Sequence, residues 1–454
     1  MDNLQESKET CCMSLLECDL IIYGSSVITQ DENRSIINDG AIAVTGNKIS
    51  DVGPKSEINR KWTASKTLDS GKSILMPGMI NSHTHVPMTL MRGVADDLPL
   101  LTWLHDYIFP IEAGLNKELV ELGAHLGCAE MIAGGTTAFL DGYMHEDAVG
   151  KAVDESGIKA VLGEGFFEFP SPFFKTAEQA WEVMEGLHER FSKHDRISIS
   201  ITPHAVFTTN PDQLVESMEL AEKLDVPWQI HCAESIPETE LTLKKFGKRP
   251  LEVLRDNGLL TARTRIHHCV DVTEQEISLL SSSGTMVSHN PQSNLKLGSG
   301  ICPLTKLLDA GITVGLGTDG AASNNDLNMF EEMRTAALLQ KGILQDPTAI
   351  PAQTALDLAT VNSADFLGLT DTGSIKPGMK ADIIAINMNK MHLKPVYNPL
   401  SHVVYCVGAQ DVSLTICDGK VLYHDGKHFT VDIETVSHEA EKAVKWALSR
   451  LKNH

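Results

Sequence analysis

The sequence lacks the features that mark a membrane-spanning or secreted protein. Its apolar runs all fall well short of the about 20 residues that cross a bilayer. Its N-terminal residues are polar and acidic, without the basic-then-apolar order of a secretory signal peptide. The nine cysteines are odd in number and scattered, and no CxxC pair occurs among them. These absences predict a cytoplasmic protein with reduced thiols and no membrane partner.

Positive charge is also scarce. Lysine and arginine total 38 against 60 aspartates and glutamates, which gives a net charge of −22. Because such an acidic surface repels phosphate backbones, nucleic-acid binding is excluded as the main function. The 42% of hydrophobic residues is typical of a globular protein, and 454 residues suit either two to four domains or one large barrel plus an accessory domain.

The two ends of the chain differ in pattern from its centre. Residues 18–73 and 371–432 alternate short β-branched runs with turns, and the two segments could pair into one small β-sandwich domain made from both termini. Apolar spacing predicts a C-terminal helix over 433–454. Residues 1–17 are expected to be a disordered or frayed tail.

The centre, residues 74–370, alternates short apolar runs with helical patterns. Eight such runs with helical connectors occur over about 300 residues. In chain order they are SILMPGMINSHTH, TTAFLDGY, KAVLGEGFF, RISISITPH, PWQIHCAE, TRIHHCV, TMVSHN and ITVGLGTDG. This arithmetic predicts an α/β fold, a TIM-like (β/α)₈ barrel, with its active site at the carboxyl ends of the strands.

Polar side chains collect at the ends of these runs. His83 and His85 are two residues apart, so on a strand they share one face. His231 ends the fifth run and Asp319 the eighth. Three imidazole nitrogens and one carboxylate oxygen suit one Zn²⁺ per subunit with a position left for water, and Fe²⁺ or Mn²⁺ would also suit them.

The same strand ends offer groups that can move protons. Zinc lowers the pKa of a bound water to about 7, and an acid/base must then transfer its proton. Glu234, three residues after His231, is the candidate, and Asp319 can accept the same proton. His268 ends the sixth run and is expected beside the metal site, whereas its neighbour His267 is expected to point into the layer between barrel and helices.

Several motifs resemble those of the amidohydrolase superfamily and, within it, the 5-methylthioadenosine/S-adenosylhomocysteine deaminases. The resemblance lies in PGMINSHTH, HCAE, HHC, SHNPQSNLKLGSG and GLGTDGAASNN, together with the PIE that follows the first of these. It covers nearly the whole chain and implies a zinc-dependent homo-oligomer that works in purine salvage. The implied reaction is hydrolytic deamination, in which activated water attacks C6 of adenine and the products are the inosine analogue and ammonia.

The resemblance also implies roles for individual residues. Its metal ligands match His83, His85, His231 and Asp319, its proton shuttle matches Glu234 and its catalytic histidine matches His268. Glu112 matches the carboxylate that binds the ribose hydroxyls, and His204 matches a histidine that contacts substrate. Trp103 is either a wall of the nucleoside pocket or a core residue. The fourth run carries no lysine to bridge two metals, so a single metal is expected.

The substrate's 5′ substituent and the alternatives to a nucleoside remain open at this point. Relatives that accept S-adenosylhomocysteine can use arginines after the third strand, where this chain has Glu164 and no arginine before Lys175. Glu164 would repel the amino-acid carboxylate of S-adenosylhomocysteine. The sequence therefore predicts a preference for methylthioadenosine, 5′-deoxyadenosine or adenosine over S-adenosylhomocysteine, which stays a possible substrate. The alternative is a deaminase or hydrolase of a free base or s-triazine, against which the ribose-binding Glu112 argues. A non-enzymatic scaffold would require a broken site.

Overall fold

The computed structural model describes residues 15–169 and 173–451 as an α/β protein with three β-sheets. Residues 1–14 of the predicted tail lie outside these residues, whereas Leu16 and Glu17 already belong to the first strand. The strands are β1 (Leu16–Ile28), β2 (Ile36–Thr45), β3 (Lys48–Pro54), β4 (Trp62–Asp69), β5 (Ser73–Pro77), β6 (Met79–Thr84), β7 (Thr136–Tyr143), β8 (Lys159–Phe166), β9 (Ile197–Ile199), β10 (Thr202–Pro203), β11 (Trp228–Cys232), β12 (Thr264–His268), β13 (Met286–His289), β14 (Val314–Leu316), β15 (Ile383–Asn387), β16 (Val412–Cys417), β17 (Lys420–His424) and β18 (Lys427–His428).

Helices connect and cover these strands. They are α1 (Lys55–Lys61), α2 (Leu100–Trp103), α3 (Phe109–Glu112), α4 (Lys117–Ala133), α5 (Glu146–Ser156), α6 (Ala177–Phe191), α7 (Pro211–Leu224), α8 (Ile236–Phe246), α9 (Pro250–Asp256), α10 (Glu274–Ser283), α11 (Pro291–Lys296), α12 (Leu304–Asp309), α13 (Ala321–Asn324), α14 (Met329–Leu344), α15 (Ala352–Leu358), α16 (Val361–Leu367), α17 (Pro399–Tyr405) and α18 (Ile433–Leu451). One π-helical turn, Leu104–Ile108, joins α2 to α3. Within the described ranges, no helix is both long and apolar enough to cross a membrane.

The two ends of the chain form one nine-stranded sheet. Its strands follow the order β18-β17-β16-β15-β5-β1-β2-β3, and β4 pairs with β1. The sheet covers a hydrophobic core of its own, which joins side chains from both ends of the chain, among them Ile22, Leu75, Ile383 and Leu414. Non-local pairing of β5 with β15 therefore unites segments about 300 residues apart.

The central strands form two parallel sheets. One follows the order β10-β8-β7-β6, with β9 also on β8, and the other follows β11-β12-β13-β14. Backbone hydrogen bonds continue beyond these sheets, from the N–H of His231 to the carbonyl of His204 and from the N–H of Asp319 to the carbonyl of His83. Because neighbouring strands run in the same direction, their carboxyl ends, which carry the predicted site residues, lie on one side.

The chain passes from the terminal sheet to the first parallel sheet at Gly78. Ser73–Pro77 pairs in the terminal sheet, although the sequence assigned this segment from residue 74 onward to the first central strand. A Cβ at Gly78 would lie 2.2–2.7 Å from side-chain atoms of Thr137, so only glycine fits this crossing. The first central strand therefore begins at Met79, five residues after the predicted residue 74.

Candidate active site

Four donor atoms from three separate strand ends converge on one point. The Nε2 of His231 lies 3.2 Å from Nε2 of His83 and 3.3 Å from Nε2 of His85. Oδ1 of Asp319 lies 3.4 Å from Nε2 of His83 and 3.3 Å from Nε2 of His85. A tetrahedron with zinc–ligand bonds of about 2.0–2.1 Å has edges of about 3.3 Å. These four donor–donor distances therefore match the spacing of ligands around one zinc ion.

Hydrogen bonds on the far side of the imidazoles set their tautomers. Nδ1 of His85 lies 2.6 Å from the carbonyl of Gly142, and Nδ1 of His231 lies 2.7 Å from the carbonyl of His204. A carbonyl only accepts, so in both rings Nδ1 carries the hydrogen and Nε2 directs its lone pair at the shared point. Lone pairs that face one another at this distance repel, and a cation between them removes the repulsion. The site thus suits a divalent metal.

The protonation of the ligand groups agrees with this role. Burial lowers the pKa of His83 to about 3 and lowers the pKa values of His85 and His231 as well. Neutral imidazole is the form that binds a metal. Burial opposes ionisation of Asp319, but the hydrogen bond with His83 and the surrounding imidazoles outweigh it and hold the pKa of Asp319 well below its usual range. The Oδ2 of Asp319 accepts hydrogen bonds from the hydroxyls of Ser293 and Ser323.

One cavity opens above these donors and contains most of the predicted site residues. Its walls include His85, Trp103, Glu112, His204, His231, Glu234, His268 and Asp319. His83 does not line the cavity and is fully buried. Burial raises the pKa of Glu234, although nearby His268 lowers it. Nδ1 of His268 lies 2.8 Å from Oδ1 of Asn294, which leaves its Nε2 free for the cavity.

The remaining wall residues have distinct hydrogen-bonding states. Oε1 of Glu112 accepts a 2.7 Å hydrogen bond from the hydroxyl of Tyr143, and burial raises the pKa of Glu112 to about 7. Trp103 is almost fully buried and lines the cavity, so it is both core and wall. Within the described part of the chain its indole N–H has no hydrogen-bond acceptor. Nδ1 of His204 lies 3.0 Å from the hydroxyl of Thr208.

The comparisons with known proteins agree with this geometry. The model of the amidohydrolase family matches residues 74–422, a range that contains all the residues of the cavity. The chain belongs to the amidohydrolase family.

Known relatives are similar in sequence to this amidohydrolase over nearly their full length. It is 46% identical to a 5-methylthioadenosine/S-adenosylhomocysteine deaminase of Nitratidesulfovibrio vulgaris strain Hildenborough, over 96% of this chain and 99% of the relative. It is 42% identical to a 5′-deoxyadenosine deaminase of Methanothermobacter thermautotrophicus, over 90% and 94% of the two chains. A crystal structure of an adenosine deaminase from Xanthomonas campestris with bound zinc superimposes with a TM-score of 0.93 at 34% identity and covers 97% of this chain and 100% of its own.

The structure of the amidohydrolase shows that the prediction about Glu164 is wrong. This residue does not lie in a loop facing the cavity but within β8, and its carboxylate accepts hydrogen bonds from the backbone N–H groups of His145 and Glu146. Successive residues of a strand face opposite sides, and it is the next residue, Gly165, that lines the cavity. Repulsion of a substrate carboxylate by Glu164 is therefore wrong as a mechanism.

The prediction about His267 is also wrong. β11 and β12 pair in a register that sets His267 beside His231, and residues paired across parallel strands project from the same face. The ring of His267 consequently stacks on His83, with centroids 3.7 Å apart. His268 reaches the cavity because its backbone has a left-handed φ of 73°.

Two further residues were absent from the sequence prediction. Tyr143 ends β7 and holds Glu112, and Glu238 lies in the first turn of α8 and lines the cavity beside Glu234. A tyrosine at a strand end carries no sequence signal of its own, because its partner lies 31 residues away. The glutamate four residues after Glu234 resembles an ordinary helix-capping residue in the sequence.

Proposed function

We propose that this chain is a metal-dependent deaminase of 5′-modified adenosines. It hydrolyses the 6-amino group of the adenine ring and releases ammonia and the corresponding inosine analogue. The observation that supports this most directly is that the four metal-ligand candidates, Glu234 and Glu112 all belong to one site. The three relatives described above are named for adenosine-type substrates, which favours a nucleoside over a free base or an s-triazine.

The walls of the cavity supply groups for both parts of a nucleoside. The carboxylate of Glu112 can accept hydrogen bonds from two ribose hydroxyls, and Tyr143 orients it. Trp103 offers an indole N–H that has no acceptor among residues 15–169 and 173–451 and would donate to a ring nitrogen of the purine. His204 lines the same cavity and can contact the sugar. A bare base or triazine would leave Glu112 without a function.

The chemistry divides between the metal and the protein side chains. One zinc ion held by His83, His85, His231 and Asp319 would supply activated water at neutral pH. Glu234 accepts a proton from the attacking water and passes it to N1 of the purine, since its raised pKa suits a group that both takes and gives a proton. His268 hydrogen-bonds the attacking oxygen. Asp319 takes the second proton from that oxygen and passes it to the amino group, which leaves as ammonia.

The lining of the cavity favours an uncharged 5′ substituent. It includes the apolar side chains of Leu100, Leu101, Leu104, Phe167, Phe207 and Leu241 and, among the described residues, no lysine or arginine. Lys245 lies beside Phe207, but it donates to two backbone carbonyls and forms an ion pair with Glu168. A carboxylate placed against apolar walls without a cation is costly. Methylthioadenosine and 5′-deoxyadenosine therefore fit better than S-adenosylhomocysteine.

The finer architecture belongs to the same proposal. We infer that β6–β14 close into an eight-stranded barrel, with β9 and β10 as one interrupted strand, beside a small β-sandwich built from both chain ends. The backbone hydrogen bond between Asp319 and His83 supports closure, and the separate core of the terminal sheet supports a second domain. We also propose a homo-oligomer in the cytoplasm, which would have closed point-group symmetry as most soluble oligomers do.

A substrate panel tests this function. Zinc-loaded protein is expected to release ammonia from adenosine, 5′-deoxyadenosine and methylthioadenosine but not from adenine, guanine, cytosine or an aminotriazine. S-adenosylhomocysteine is expected to have a kcat/KM at least about tenfold below that of methylthioadenosine, because its carboxylate would be unpaired. The variant Glu112→Ala lacks the carboxylate that binds the ribose hydroxyls, so it should have a higher KM for nucleosides than the wild type. Turnover of a base or triazine alone would overturn the proposal.

The affinity for a nucleoside is expected to depend on pH through Glu112. The ionised carboxylate accepts hydrogen bonds from the sugar, so binding should weaken as pH falls through the Glu112 pKa of about 7. Burial raises this pKa, and the Tyr143 hydrogen bond lowers it. Tyr143→Phe should therefore move the loss of binding to higher pH. Calorimetric titration with inosine, which does not react further, measures the shift, and an unchanged pH midpoint would contradict it.

A further inference from the structure

Glu238 is buried beside Glu234 and has no part in the reaction described above. We propose that Glu238 is a positioning residue, whose carboxylate holds the backbone of Glu234 so that its side chain is aligned for proton transfer. This inference rests on the proposed deaminase function, and it concerns the orientation of the proton-transferring group. The side chain is only 3% exposed.

Both carboxylate oxygens of Glu238 are used by the turn that carries Glu234. Oε1 accepts a 3.2 Å hydrogen bond from the backbone N–H of Ala233, and Oε2 accepts one of 2.5 Å from the N–H of Glu234. One carboxylate thus binds two consecutive peptide groups. Two hydrogen bonds from adjacent N–H groups to one buried side chain fix the position of the Glu234 backbone.

The turn needs this support because its backbone conformation is unfavourable. Ala233 has a φ of +57°, in the left-handed region that non-glycine residues seldom adopt. On the opposite side, the carbonyl of Ala233 accepts hydrogen bonds of 2.7 Å and 2.9 Å from the N–H groups of Val270 and Asp271. The peptide groups around Ala233 are therefore held from two sides, and Glu238 supplies one of them. Strained backbone persists only where its surroundings determine it in this way.

Glu238 differs in this respect from the glutamates at the same position of the next two helices. Glu252 of α9 and Glu276 of α10 bond the N–H of their own capping residues, Arg249 and Thr273. Glu238 instead reaches past its capping residue, Ser235, to the two residues before it. The hydrogen bonds of Glu238 thus stabilise the turn that precedes α8, and they do not cap α8 itself.

The substitution Glu238→Gln separates this role from helix capping. Glutamine keeps the shape, but it has one acceptor oxygen, and its NH₂ group would face a backbone N–H that also donates. One peptide group of the turn would lose its partner, and the Glu234 carboxylate would move. Because small displacements of a reacting group are costly, kcat should fall about 10–100-fold. KM and bound metal should stay within about twofold of wild type.

Glu252→Gln is the matched control, since it makes the same substitution at the same capping position of the next helix, where one N–H is accepted and glutamine can still accept it. It should leave kcat unchanged. If Glu238→Gln fails to fold, Glu238→Asp, which keeps the charge but is too short for both amides, takes its place with the same expectation. Equal kcat values for wild type and the Glu238 variant would overturn the inference.

A double-mutant cycle distinguishes positioning from a general structural effect. If Glu238 acts through Glu234, Glu238→Gln should cause no further loss of kcat in a Glu234→Gln background. A further 10–100-fold loss there would show that Glu238 acts by another route. Wild-type protein that releases no ammonia from any nucleoside would instead count against the proposed function itself, so the two failures are separable.

Discussion

Glu234→Gln is expected to lower kcat for methylthioadenosine by about 10²–10⁴-fold, the usual contribution of a general acid–base group. This loss corresponds to about 3–5 kcal/mol of transition-state stabilisation. Glutamine has nearly the same volume as glutamate but cannot accept and return a proton. Since Glu234 lies within the cavity and is not among the four donors, KM should change little.

Three measurements on this variant separate chemistry from damage to the site. Steady-state kinetics give kcat and KM, metal analysis gives the zinc content, and thermal unfolding gives stability. Only kcat should change. A loss smaller than tenfold would mean that another group transfers the proton, and a loss of zinc would mean that Glu234 helps to hold the metal.

Removal of the metal is expected to abolish deamination and to destabilise the fold. Chelation leaves the Nε2 lone pairs of His85 and His231 facing each other 3.3 Å apart, with Nε2 of His85 also 3.3 Å from the Asp319 carboxylate. A ligand that binds only the folded state stabilises it by about 4 kcal/mol at 1,000 times its Kd. Chelated protein should therefore unfold at a lower temperature, and added Zn²⁺ should restore both stability and activity.

Substitution of one of the proposed metal-binding residues extends this test. His83→Asn should reduce the zinc content well below one per chain and eliminate activity, whereas His438→Asn, at an exposed position of α18, should change neither. Full zinc content in the His83 variant would contradict the assignment of His83 as a ligand. Unchanged thermal stability after chelation would contradict a metal that is bound only by the folded state.

The sequence prediction was most accurate for site residues whose location depends on their position along a strand. The structure contains all eight apolar runs of the centre as strands, with β9 and β10 together in the fourth run. The spacing of His83 and His85 and the ends of the fifth and eighth runs were enough to select the four groups that converge. Parallel strands necessarily bring their carboxyl ends to one side, so a polar residue at such an end can be located without coordinates.

The prediction failed where the direction of a side chain depends on neighbouring strands. Glu164 was expected in the cavity, but the pleat of β8 turns it away and leaves Gly165 there. His267 was expected outside, but its register with His231 turns it inward against His83. One residue of register reverses the face of every side chain, and spacing within a single strand does not reveal it.

By itself, the sequence determined the class of fold, the metal-ligand candidates and the acid/base candidate, because each of these depends on periodicity or on residue type at a strand end. Only the tertiary structure decided which groups hold those residues in place. Tyr143 meets Glu112 across 31 residues, and Glu238 binds the turn at Ala233, whose left-handed backbone no sequence pattern indicates. Such contacts follow from how strands and helices pack in three dimensions, and the alignment of the Glu112 and Glu234 carboxylates depends on them.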